Sequence, residues 1–131
     1  MGKKTWIFGI LGLIILLLLI LPSSITGFSV FSGGGEYDSF AKCLTEKNVK
    51  MYGAYWCPHC QNQKKLFGSS WKYVTYVECS LPNAQGQTDE CKAAGIEGYP
   101  TWDFGSGERQ SGELTIAQIS QLSGCPVNLQ E

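Results

Sequence analysis

Charge is what this sequence has least of. Only 16% of its 131 residues are Asp, Glu, Lys or Arg, and none falls between Lys4 and Glu36. From Glu36 onward eight basic side chains face eleven acidic ones, with no basic cluster. Phosphate neutralisation needs clustered Lys and Arg, so nucleic acid is excluded as the main partner. No internal repeat occurs, and no cysteine precedes Cys43, which removes a lipoprotein-type anchor. Apolar residues are not scarce: 44% hydrophobic and 12% aromatic content exclude a disordered chain. The length suits one domain and is too short for two ordinary ones.

The charge-free stretch has a direction. From Trp6 to Leu21 only Gly9 and Gly12 interrupt a run of Leu, Ile, Phe and Trp. As a helix this run spans roughly 24 Å, short of the about 30 Å of a hydrocarbon core. Ile25, Phe28, Val30 and Phe31 extend it past Pro22 to a full span. Residues 1–31 are therefore expected to form a signal anchor, one N-terminal transmembrane helix with a short juxtamembrane stretch. A cleaved signal peptide is the alternative, but Ser24-Ile25-Thr26 matches a cleavage site poorly. In both readings Lys3 and Lys4 stay cytoplasmic and the following domain is extracytoplasmic: tethered to the cell membrane, or secreted after cleavage. Residues 32–35 read as a Gly-rich linker and residues 36–131 as the exported domain.

Periodicity within that domain predicts an alternating order. A helix is expected from Asp38, as N-cap, to Asn48, with Phe40, Cys43 and Leu44 on one face. Val49 to Trp56 reads as a buried strand, and Pro58 as the first turn of a helix ending at Gly68. Tyr73 to Glu78 follows as a strand, Leu81 to Gln87 as a polar loop, and Thr88 to Ala94 as a short helix closed by Gly95. Thr101–Phe104 and Glu108–Ser111 flank Gly105-Ser106-Gly107 as a hairpin. Thr115 and Gln118 form a capping box for a last helix, with Leu114 and Ile119 as staple and Gly124 and Pro126 as its stop. The order indicates an α/β sandwich around a mixed sheet.

The chemistry lies in Cys57-Pro58-His59-Cys60. A strand-to-helix junction puts the first sulfur at the helix N-terminus, where unpaired N–H groups and the helix dipole favour a thiolate. Cys60, one turn on, faces inward as a resolving thiol, and His59 in its protonated form stabilises the Cys57 thiolate. A purely structural bridge between residues so close would stabilise little. Attachment of a c-type haem fails because Gln61, not histidine, follows Cys60. A zinc site from Cys57, Cys60, Cys79 and Cys91 is the further alternative, yet the eleven-residue spacer from Cys79 to Cys91 exceeds the usual spacing of about two to four.

Ala54-Tyr55-Trp56-Cys57-Pro58-His59-Cys60, followed by Gly95-Ile96-Glu97-Gly98-Tyr99-Pro100-Thr101, resembles the thioredoxin superfamily over roughly Glu36 to Cys125. The strings MYGAYWCPHCQNQKKLFG, YVEC and GIEGYPTW look closest to the thioredoxin-like domain associated with vitamin K epoxide reductase homologues. The resemblance implies a thioredoxin-like α/β fold, a mixed central sheet with helices on both faces, preceded here by the transmembrane helix. It implies a thiol–disulfide oxidoreductase with Cys57 as attacking thiol, Cys60 as resolving thiol, and Pro100 as a cis-proline presenting the Tyr99 backbone to the substrate chain. Trp56 and Trp102 are candidates for the apolar rim of the peptide groove, or for half-buried packing. In that group the domain is fused to, or works with, a membrane quinone reductase. No quinone-binding bundle occurs in this sequence, so a separate partner of that type is expected, with exported cysteine-containing proteins as clients and no cofactor or metal.

One departure bears on direction. Many thioredoxins carry a buried Asp six residues before the first cysteine, where this sequence has Met51. The Pro-His dipeptide is that of periplasmic disulfide oxidants. Both features favour an oxidant over a reductase or isomerase, because stabilising the thiolate makes the disulfide more oxidising. A non-catalytic, cysteine-stabilised module is the reading from a different class. Cys79 and Cys91 are expected to form a structural disulfide pinning the loop from Ser80 to Glu90. Elimination leaves Cys43 and Cys125, but the thioredoxin fold normally sets the first and last helices on opposite faces, so their pairing stays open.

Overall fold

The computed structural model describes residues 34–128 and, before them, Ile10, Leu13 and Ile14. The chain divides into two units between Ser32 and Gly33. Apart from Ile10, Leu13 and Ile14, the residues of the expected transmembrane span lie outside the described ones, and among the described residues no helix is long and apolar enough to cross a membrane.

The layers of the second unit follow from two successive residues of β1 (Lys50–Gly53). Neighbouring strand side chains point to opposite faces. Met51 accordingly enters one core cluster and Tyr52 another. Around β1 lie β2 (Thr75–Glu78), β3 (Thr101–Asp103) and β4 (Arg109–Ser111), in the order β2-β1-β3-β4. β1 runs parallel to β2 and antiparallel to β3, and β3 pairs antiparallel with β4, so the sheet is mixed. The parallel pair needs a crossover. Here it is α2 (Pro58–Phe67) and the 3-10 turn Gly68–Tyr73, a turn that the sequence reading did not anticipate. The strand expected as far as Trp56 stops at Gly53, because Ala54, Tyr55 and Trp56 leave the sheet to deliver Cys57 to the helix.

The Met51 face holds the larger core. α1 (Asp38–Glu46) contributes Phe40, Ala41 and Leu44, and α2 contributes Phe67. Trp102 of β3 and Ile119 of α4 (Ile116–Ser123) complete it. The Phe67 ring lies 5.9 Å from Phe40, 5.7 Å from Trp71 and 6.0 Å from Trp102. Burying such a ring is worth about 1.5–3 kcal/mol, with about 0.5–1.5 kcal/mol more for each well-placed aromatic pair. The Tyr52 face is covered by Ile96, Cys79 and Cys91, the last from α3 (Asp89–Ala93). Helices thus flank both faces.

Two expectations are corrected. Asp38 is the first helical residue rather than the N-cap; Tyr37 takes that place, its amide donating to Ser70 Oγ at 3.0 Å. The second correction concerns the first and last helices, which share one core instead of lying on opposite faces. Cys43 and Cys125 form a disulfide with Cα atoms 5.9 Å apart. The left-handed Gly124 (φ 65°) ends α4 and turns the chain back, and Lys47 Nζ donates to the carbonyls of Ser123 and Gly124 at 2.9 and 3.0 Å. Glycine takes that conformation without a Cβ penalty. The start of α4 has the expected box: Thr115 Oγ1 accepts from the Gln118 amide, and Gln118 Oε1 accepts from the Thr115 amide.

Candidate active site

Cys57 is the N-cap of α2, and Pro58 opens the helix where a missing N–H costs nothing. The Cys57 sulfur therefore faces the positive end of the helix. Cys57 is 5% exposed and Cys60 0%, both as free thiols, so an incoming sulfur can reach only the first. Burial pushes the Cys60 thiol up to about 12, and its hydrogen bond with Cys57 adds to the rise. The pair is therefore unequal: an accessible sulfur at a helix terminus, and an inner thiol that must lose a proton before it can react.

The Tyr99–Pro100 peptide bond is cis, and Pro100 is fully buried. It brings the Tyr99 carbonyl to 3.7 Å from Cys57 Sγ. A backbone edge beside a reactive sulfur can hold an extended peptide by main-chain hydrogen bonds.

The rim is built from loops tied to one another. Trp56 is 49% exposed, with its indole N–H donating to Ser80 Oγ at 2.8 Å and its ring edge-on to Tyr99 at 6.1 Å. Tyr55 is also exposed, and its hydroxyl accepts from the Ala84 amide at 3.1 Å. Gln87 Nε2 donates to Tyr99 Oη at 2.9 Å and to the Ile96 carbonyl at 2.7 Å. Ser80 and Gln87 pair in antiparallel fashion inside the loop that the Cys79–Cys91 disulfide closes, the two cysteine Cα atoms being 5.6 Å apart. The bridge thereby sets the positions of Trp56 and Tyr99. It also removes two of the four thiolates that the zinc alternative requires.

His59 lies on the outer side, its Nδ1 2.6 Å from Glu113 Oε1. Asn62 Nδ2 donates to the same oxygen at 3.2 Å. These hydrogen bonds, that of His59 first, hold the Glu113 carboxyl below its ordinary range. Trp102, offered by the sequence as rim or as half-buried packing, has its rim reading corrected. It is 0% exposed, in the core beside Phe67, and contributes nothing to the rim, because β3 is covered on both sides.

Several residues at the site escaped the sequence reading. Gly53 is one: a Cβ there would stand 2.9 Å from Cys60 Sγ and 2.9 Å from Tyr76 Cε2, so only glycine leaves both in place. Tyr76 Oη donates to Glu78 Oε2 at 2.8 Å, and Glu78 Oε1 accepts from the amides of Tyr55 and Ser80 at 3.2 and 2.9 Å. Glu113 carried no signal, lying 54 residues from His59 in the chain. Glu78 comes beside Gly53 through the parallel pairing of β1 with β2.

A thiol-disulfide oxidoreductase of Arabidopsis thaliana, LTO1, is 40% identical over 90 residues, which is 66% of this chain and 24% of that protein. The chain therefore spans about a quarter of that relative's length. No protein-family model matches. The mixed α/β sheet with its flanking helices fits a thioredoxin-like fold, and the similarity supports an oxidoreductase of the thioredoxin type.

Proposed function

We propose that this chain is a membrane-anchored, extracytoplasmic thiol–disulfide oxidoreductase that oxidises exported cysteine-containing proteins. The observation that carries the reading is the unequal Cys57–Cys60 pair set against the Tyr99 carbonyl of a cis peptide bond. In the oxidised protein a substrate thiolate attacks Cys57, the Cys57–Cys60 bond breaks, and Cys60 leaves as a thiolate that takes up a proton. A second substrate thiol then attacks the mixed disulfide, forming the substrate's own disulfide and leaving the Cys57–Cys60 dithiol. The electron pair passes next to a membrane quinone reductase of the vitamin K epoxide reductase type. That partner is suggested by the likeness of the strings around Cys57 and Pro100 to the domain found with such reductases. The charge-free residues 5–31 support an anchor that keeps Lys3 and Lys4 in the cytoplasm.

Trapping tests this. Cys60→Ala leaves Cys57 able to engage a partner but removes the thiol that releases it intramolecularly, so mixed disulfides accumulate at Cys57. Non-reducing gels of cell envelopes, with mass spectrometry of the adducts, should yield exported cysteine proteins and a membrane quinone reductase. An absence of Cys57 adducts with the variant folded and exported overturns the catalytic reading. The direction is tested by the reduction potential of the pair, expected well above about −270 mV, the value of a reducing thioredoxin.

A further inference from the structure

Cys60 poses a chemical problem that the redox pair alone does not solve. To close the Cys57–Cys60 disulfide its thiol must lose a proton, yet its sulfur is shut off from solvent and Met51, in the same core cluster, offers no acceptor. The titratable and charged groups facing Cys60 are Cys57 and Lys64 from its own helix and, from β2, Tyr76 with Glu78 behind it. β1 and the turn after it present Gly53 and Ala54, which carry none.

Gly53 makes the connection. A Cβ on it would lie 2.9 Å from Cys60 Sγ and 3.2 Å from the Tyr76 hydroxyl oxygen, so thiol and phenol meet over the same bare backbone. Sulfur and oxygen are therefore no more than about 6 Å apart, a separation that one water bridges. The phenol is already a donor to Glu78 Oε2 at 2.8 Å, and Glu78 is partly exposed at the rim beside Tyr55 and Ser80. Lys64 Nζ sits 3.7 Å over the Tyr76 ring, holding a positive charge beside the path.

We infer that Tyr76 and Glu78 are the proton path of Cys60, linking the buried thiol to solvent through a phenol and a carboxylate. The inference rests on the reading of Cys57–Cys60 as a redox pair. In the resolving step the Cys60 sulfur lone pair forms the bond to Cys57. The bond from Cys57 to the partner's sulfur breaks, and the partner leaves as a thiolate that solvent protonates. The Cys60 proton passes through one bridging water to the Tyr76 oxygen as the phenolic proton passes to Glu78 Oε2, and from there to bulk solvent. The same path run backwards returns a proton to Cys60 when it is the leaving group. The oxidising equivalents come from the partner's disulfide alone. A thiol held near 12 would otherwise react in proportion to hydroxide, and the relay replaces hydroxide with a general base.

The purified, reduced full chain tests this with equimolar dithiobis-nitrobenzoate. Attack by Cys57 releases one coloured thiolate, and resolution by Cys60 releases a second. In the native chain the second phase should depend only weakly on pH. In Tyr76→Phe and in Glu78→Gln it should slow about a hundredfold and rise about tenfold per pH unit, with the first phase unchanged. A merely structural role moves both phases and leaves that pH slope alone. Glu78→Gln keeps a carbonyl for the Tyr55 and Ser80 amides, so it carries the test if Tyr76→Phe perturbs the fold. Native rate and pH dependence in both variants overturn the relay, as does an effect of Tyr76→Phe with Glu78→Gln unaffected. A second phase that survives Cys60→Ala instead overturns the redox-pair reading on which the relay depends.

Discussion

Gln63 and Leu114 are clamped by a pair of hydrogen bonds: Gln63 Nε2 donates to the Leu114 carbonyl at 2.9 Å, and the Leu114 amide donates to Gln63 Oε1 at 2.7 Å. The side chain is wholly buried and acts as a stretch of backbone, fastening α2 to the loop before α4. Since Glu113 precedes Leu114, the clamp also places the carboxylate that meets His59. Gln63→Leu keeps the volume but strands a buried N–H and C=O, at about 1–3 kcal/mol each. Urea unfolding should show a loss of about 2–4 kcal/mol. A loss below about 0.5 kcal/mol means that the loop finds other partners.

The two disulfides should contribute unequally. Cys43–Cys125 spans 82 residues and Cys79–Cys91 spans 12. Loop-closure entropy assigns about 4.5 kcal/mol to the first and about 3 kcal/mol to the second. Paired alanine replacements, compared by denaturant midpoint, should preserve that order. The reverse order would show that closure entropy is not what these bridges supply. Loss of Cys79–Cys91 has a further expected effect, a change in Trp56 fluorescence, because Ser80 is no longer held under the indole.

Asp103 gives the fold an acid-sensitive contact. Burial raises its carboxyl, but the Gly105 amide and the Arg109 guanidinium outweigh burial and hold it below the ordinary range. A carboxyl depressed in the folded state stabilises above its unfolded value of about 3.9, and that contribution is lost as pH falls through the folded value. Asp103→Asn should therefore lower the thermal midpoint at about pH 7, and the difference should shrink below about pH 3. A difference that persists unchanged in acid points to a packing effect instead.

Local signals and long-range ones were not equally legible. The Thr115–Gln118 box, the helix end at Gly68 and the Gly105–Gly107 hairpin are all written within a few residues, and the structure has each of them. So is the strand-to-helix handover at Cys57, which is why the redox pair could be read directly. Failures came where faces matter. Rim and packing cannot be separated for Trp102 until β3 is known to be internal to the sheet and covered on both sides. The Cys43–Cys125 pairing depends on which face two helices share, and spacing does not encode that. Glu113 and Tyr76 reach the site only through tertiary contacts.

His59 should set how oxidising the pair is. Its ring is exposed on the first turn of α2, and its Nδ1 contact with Glu113 holds it at 2.6 Å. A protonated imidazole beside the helix N-terminus favours the Cys57 thiolate and therefore the reduced form, which raises the potential. The His59 and Asn62 hydrogen bonds hold the Glu113 carboxyl below its ordinary range, and the carboxylate anchors the ring at 2.6 Å. His59→Ala removes the imidazole from the first turn of α2, and with it any imidazolium contribution to the Cys57 thiolate. A loss equivalent to one pKa unit is about 1.4 kcal/mol, or about 30 mV for the two-electron couple. Equilibration with glutathione redox buffers should show a potential lower by about that amount or more. Glu113→Gln should shift it in the same direction by less. An unchanged or higher potential in His59→Ala would mean that the helix terminus alone stabilises the thiolate.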